Sequence, residues 1–167
     1  MDKNILATLR PIPLFRAFAG DDAKLAVVAG LMASRKVHGG HTLIQEGALG
    51  DELFILKAGE VEVTKTTLEH EQYTVAVLRG SDHAFFGELA LLDEDKRSAS
   101  IVATSECEVL VLKRADFEAL GNAHPELGLA IMRELAKILS RRLRTTDQDL
   151  ILLFEALVNE VQAEELD

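Results

Sequence analysis

The residues best placed to do chemistry lie in the run Phe86-Gly87-Glu88-Leu89-Ala90-Leu91-Leu92, then, after Asp93 to Lys96, in Arg97-Ser98-Ala99-Ser100. Gly87 permits a positive φ or a close backbone approach, and Glu88 to Leu92 can form one helical turn whose leading amide N–H groups lack partners. Such a terminus attracts an anion. Arg97 supplies a planar, permanently charged donor fork that matches two oxygens of a phosphate, and Ser98 adds a hydroxyl and an amide beside it. Glu88, acceptor-only when ionised, takes a hydrogen bond from a sugar hydroxyl and repels a highly charged triphosphate. Together they describe reversible binding of a mono-anionic, ribose-bearing ligand. The same residues also fit a plainer reading, a surface Arg–Glu ion pair beside an amphipathic turn, and spacing alone leaves both open.

Catalytic alternatives find little support. His38 and His41 are three apart, so on a strand they face opposite ways, and the His-X-His spacing of small metal-binding barrels is missing. No Gly-X-X-X-X-Gly-Lys phosphate loop occurs, and Ser98 and Ser100 have no obvious base. A haem would need an axial ligand such as His83 or Cys107, and a lone loop histidine reads more simply as polar surface. Cys107 is the only cysteine, so neither an intrachain disulfide nor a tetracysteine metal site can form. The expectation is a non-enzymatic protein with no catalytic residues, no metal and no cofactor beyond its ligand.

The elements that must position these residues follow from periodicity. Asp21 and Asp22 precede a helix over Ala23 to Ala33, with Leu25, Val28 and Met32 at helical spacing. From Arg35 to Lys113 short runs of β-formers alternate with turn residues: Leu43-Ile44, Leu53 to Leu56, Val61 to Val63, Thr74 to Leu78, Ile101 to Ala103 and Val109 to Leu112. This spacing predicts about eight strands in an antiparallel jelly-roll barrel, with the Glu-His-Glu stretch at His70 as a solvated hairpin loop. After Arg114 a short helix ends near Gly121 and a long one opens near Pro125. The predicted fold is α+β: a barrel flanked by an N-terminal helix and a long C-terminal helix, with residues 1–124 as the binding domain and 125–167 as a dimerisation and output helix.

In that long helix Leu129, Met132, Ala136, Leu139, Leu143, Thr146, Leu150, Leu153 and Leu157 alternate in steps of three and four, the a/d seam of a coiled coil. Packing of the helix on its own barrel is the alternative, but a helix of about 40 residues, at 1.5 Å each, outreaches a small barrel. Arg142 falls at g and Asp147 at the next e, so a parallel homodimer would set them opposite each other. From Thr145 to Asp167 there are seven acidic residues and no basic one. The dimer is therefore expected to splay there unless a basic helix binds, which makes Leu150 to Leu157 the expected output surface for another, unidentified protein.

Over the whole chain the formal charge is −10, from 28 acidic and 18 basic residues. That sign argues against nucleic acid as a partner, because phosphate neutralisation dominates such binding. Asp2, Pro11 and Pro13 interrupt the N-terminal stretch where a secretory signal would need apolar continuity, and no run reaches the length of a membrane span. A cytoplasmic, soluble protein that engages no membrane is expected.

Phe86 to Leu92 followed by Arg97-Ser98-Ala99 resembles the phosphate-binding cassette of the cyclic nucleotide-binding domain family, shared by catabolite activator proteins and protein kinase A regulatory subunits. Pro13-Leu14-Phe15 resembles the family's opening segment, Gly47 to Leu56 with Lys57-Ala58-Gly59 its turn and strand pair, and Ser140-Arg141-Arg142-Leu143 its long C-terminal helix. The likeness extends from Ile12 to Thr146. It implies that Glu88 and the Gly87 amide hold the ribose 2'-hydroxyl, while Arg97 and the amides of Ala90 and Ser98 hold the cyclic phosphate. Leu89, Ala99 and Arg142 complete the implied ligand-binding set with Thr146, which best matches a threonine that reaches the adenine edge in the activator branch, often across a dimer.

Three departures accompany the likeness. Asp147 replaces the serine common after that threonine, the stretch from Leu78 to Gly87 is longer than in bacterial activators, and Ser98 stands where many relatives have alanine. The implied ligand is cAMP, with cGMP as the alternative, since a hydroxyl after the arginine serves guanine in some relatives. No helix-turn-helix segment follows the long helix, so the expected form is a stand-alone sensor. Its rival is a dimerisation scaffold of the same fold that binds no nucleotide.

Overall fold

The computed structural model describes residues 3–67 and 69–164. The chain opens with helix α1 (Lys3–Leu9), a 3-10 turn (Pro13–Phe18) and helix α2 (Asp22–Ala29). Among the described residues eight strands follow: β1 (Ala33–Val37), β2 (Thr42–Ile44), β3 (Glu52–Ala58), β4 (Glu60–Thr66), β5 (Gln72–Arg79), β6 (Phe85–Phe86), β7 (Ser100–Ala103) and β8 (Cys107–Lys113). Helices α3 (Arg114–Ala123) and α4 (Pro125–Glu164) close the described chain.

The strands do not close into the predicted barrel. They form two four-stranded antiparallel sheets, in the orders β1-β8-β3-β6 and β2-β7-β4-β5. Each sheet has one very short edge strand, β6 with two residues and β2 with three, the latter with a register shift between Thr42 and Ile44, against longer edges β1 and β5. Edges as short as β6 and β2 give no continuous ladder across the gap.

The unbroken apolar runs in β3 and β8 reflect burial on both faces, since successive side chains on a strand point opposite ways. Leu53, Ile55, Leu110 and Leu112 join the core under the helices, while Phe54, Leu56, Val109 and Val111 join the one between the sheets. In contrast β5, at the edge of the second sheet, is exposed along nearly its whole length.

Asp21 caps α2, its carboxylate accepting from the Ala23 and Lys24 amides at 3.1 Å each. The helix stops at Ala29 rather than running to Ala33, because Gly30 ends it and the chain turns into β1, which pairs with β8 from Ala33 onward. Helix α4 resolves the choice between self-packing and an open seam by using different faces. Leu127, Ile131, Leu135 and Ile138 pack against the Pro13–Phe18 turn and α3. Leu129, Met132 and Leu143 of the a/d seam face outward. Among the described residues, no helix is long and apolar enough to cross a membrane.

Candidate functional site

Gly87 adopts φ 75°, and a Cβ there would lie 2.9 Å from the Glu52 carbonyl oxygen and 3.0 Å from Arg97 Nη1. Only glycine fits this bend without strain. It turns the chain from β6 into a 3-10 turn, Glu88–Leu91, in which the Ala90 amide donates to the Gly87 carbonyl at 3.2 Å and Leu92 to Leu89 at 2.8 Å. Of the cassette amides, that of Ala90 is thus already engaged within the turn.

Arg97 is fixed at both its main chain and its side chain. Its amide donates to the Ala48 carbonyl at 2.8 Å, and its carbonyl accepts from Gly47 at 2.9 Å. Its guanidinium donates to the carbonyls of Gly87 at 3.1 Å and Glu52 at 2.8 Å. Burial pushes the guanidinium below its ordinary pKa, and the negative charges of Glu52, Asp51 and Glu88 oppose that. It remains a cation at neutral pH.

Glu88 is a buried carboxylate, 5% exposed. Its Oε1 is paired with Arg142 Nη1, which reaches down from α4. The Arg142 guanidinium also lies over the Phe85 ring, 5.9 Å from its centroid, within cation–π range. A buried carboxylate needs such a partner, because desolvation without one is costly.

These groups line one cleft of about 540 Å³, in the range for small-molecule sites. Gly87, Glu88, Leu89, Ala90, Arg97, Ser98, Ala99 and Arg142 all border it. Its apolar wall comes from Ile44, Val63, Leu78 and Phe86. Such a cleft can hold a flat apolar group, a hydroxylated ring and an anion at once. Thr146 is placed elsewhere: it is exposed on α4, is not among the residues bordering the cleft, and its hydroxyl donates to the Arg142 carbonyl one turn back at 3.0 Å. Among the described residues no group of three or more His, Cys, Asp or Glu could hold a metal ion.

Three participants escaped the sequence reading. Gly50 leaves space for Arg97, whose Nε would lie 2.6 Å from a Cβ there. Glu52 contributes its main-chain oxygen directly and its negative charge at a distance, neither of which a local motif marks. Phe85 supports Arg142, and its aromatic character beside Phe86 was the available clue.

Residues 34–124 match the family described as Cyclic nucleotide-binding domain. The Cyclic AMP receptor protein of Thermus thermophilus is 37% identical over 150 residues, 89% of this chain and 66% of that protein. The cGMP-dependent protein kinase egl-4 of Caenorhabditis elegans is 36% identical over 114 residues, 67% of this chain and 14% of the kinase. The crystal structure of Thermus thermophilus Catabolite Activator Protein superposes with a TM-score of 0.73 at 36% identity, covering 84% of this chain and 62% of that one. This chain therefore spans about two thirds of the bacterial regulator and a small part of the kinase. The matched pattern, the shared fold and the Glu88–Arg97 cleft place the chain in the cyclic nucleotide-binding domain family.

Proposed function

We propose that this chain is a non-catalytic cytoplasmic sensor of cyclic nucleotides, with cAMP as its ligand, and that α4 transmits occupancy to a partner. The observation that carries the reading is the pair of opposed charges in one cleft. Arg97 is locked by main-chain carbonyls where a phosphate can meet it, and Glu88 lies in the same cleft where a ribose hydroxyl can donate to it. The apolar wall accepts the purine. Similarity to a protein named as a cyclic AMP receptor supports cAMP. Ser98, which borders the cleft beside Arg97, favours cGMP as the second choice.

Transmission runs through Arg142. It is the residue by which the outer part of α4 grips the cassette, so a ribose that engages Glu88 shifts the balance between helix positions. Couplings of this kind amount to about 1–3 kcal/mol. In a parallel homodimer joined through the exposed a/d seam, Thr146 of each copy reaches the base held by the other, while Arg142, expected opposite the partner's Asp147, is instead drawn into its own cleft by Glu88.

Thermal denaturation with each nucleotide tests the reading. At about 100 times its dissociation constant a ligand stabilises the fold by about 2.7 kcal/mol, and the larger shift should come with cAMP. No shift with either nucleotide supports the scaffold reading instead.

A further inference from the structure

The outer half of α4 is more apolar than a dimer seam requires. In the register that sets Arg142 at g, Leu150, Leu153 and Leu157 fall on a and d. Ile151, Phe154, Val158 and Val161 then fall on b and e, again in steps of three and four. They are 58%, 67%, 37% and 55% exposed. One turn after another, the same b/e face nearer the sheets carries Arg133, Lys137, Ser140, Arg144 and Asp147. The face thus changes from charged to apolar at Ile151. A two-stranded coiled coil uses about two positions in seven and a bundle helix about three, so one partner helix leaves this stripe uncovered.

Charge selects what covers it. Between Thr145 and Val161 the helix bears Asp147, Asp149, Glu155 and Glu160 and no cation. Bringing further copies of the same segment onto the stripe stacks like charges against one another, which destabilises helix pairs. A helix with an apolar stripe edged by Lys or Arg buries the same surface and neutralises those carboxylates. We propose that the Ile151–Val161 stripe is a second docking face of α4, taking a basic amphipathic helix of another protein, one on each side of the dimer. This rests on the parallel-dimer reading above only for its stoichiometry.

The probe is a labelled synthetic helix of about 20 residues with leucines at i, i+3, i+4 and i+7, flanked by lysines, titrated into the full chain. A sister peptide carries glutamates instead. The expected result is saturable binding of the lysine peptide, one per chain, weakened by salt, with little binding of the glutamate peptide. Phe154→Lys with Val158→Lys should cost at least about tenfold in affinity while leaving mass and nucleotide-induced stabilisation unchanged. Glu155→Lys with Asp149→Lys should shift preference toward the glutamate peptide. Equal binding of both peptides, or no effect of either pair of substitutions, overturns the proposal. So does a tetrameric mass that falls to a dimer in the Phe154→Lys, Val158→Lys variant, which assigns the stripe to further copies of the chain. A monomeric mass with peptide binding lost only in that variant supports the docking face and removes the dimer alone.

Discussion

The two charged arms of the cleft are held in different ways. Arg97 is bonded to the carbonyls of Gly87 and Glu52 and by its own backbone to Gly47 and Ala48, all within the sheet region. Glu88 depends for its carboxylate on Arg142, a half-exposed side chain from α4. One arm is held wholly by main-chain groups beside the sheets, and the other shares its charge with α4. In the proposed function the first binds the phosphate and the second reports occupancy through Arg142.

Removing Arg97 should have the largest consequence. Arg97→Ala deletes a charged, desolvated contact to the phosphate, a loss of about 2–5 kcal/mol in binding, read as loss of nucleotide-dependent stabilisation. Because the substitution also orphans two carbonyls, Arg97→Lys serves as the companion: it retains charge without the fork and should bind weakly while folding normally.

On the other arm, Glu88→Ala should weaken cAMP by about 1.5–3 kcal/mol, the range for a hydrogen bond to a charged group, measured by equilibrium titration. A nucleotide lacking the ribose 2'-hydroxyl should then bind wild type and variant alike.

Arg142→Ala sharpens the contrast, since it leaves the Glu88 carboxylate buried without its cation. The nucleotide-free protein should lose about 1–3 kcal/mol of stability in chemical denaturation. Bound nucleotide should recover part of it, so the ligand-induced shift exceeds that of wild type. Adding Glu88→Gln should restore stability, the non-additivity expected of directly contacting groups. Additive losses would mean that the ion pair does not hold the helix.

The smallest effect concerns a region remote from both arms. Asp21 is held below its ordinary carboxylate pKa, chiefly by the Lys24 amide. A depressed folded value means its contribution is complete above the unfolded pKa and disappears as pH falls through the folded one. Asp21→Ala should therefore lower Tm slightly at neutral pH and not at all in strong acid, with nucleotide affinity unchanged.

What was legible in the sequence follows the reach of each interaction. Gly87, Glu88 and Arg97 could be read because turn geometry and charge are local properties, and the cassette is a contiguous pattern. The apolar runs Leu53 to Leu56 and Val109 to Leu112 marked strands, and that both faces of β3 and β8 are buried follows only from the two cores they join. The Glu88–Arg142 pair links positions 54 residues apart and depends on how α4 docks, which no local pattern encodes. Glu52 meets Arg97 through its main-chain oxygen and its charge, across 45 residues of sequence, which no local pattern marks. Strand spacing reports how many strands there are, not whether the outer strands of two sheets meet, so it predicts a barrel where the chain forms two four-stranded sheets.

The proposed function requires Arg97 and Glu88 to hold a cyclic nucleotide together. Calorimetric titration of cAMP and cGMP into the wild-type chain and the Arg97→Lys variant tests it most directly. Saturable binding of one nucleotide per chain, tighter for cAMP and strongly weakened in the variant, is the expected result. No heat from either nucleotide at millimolar concentration, together with no displacement of a fluorescent cAMP analogue, would contradict it.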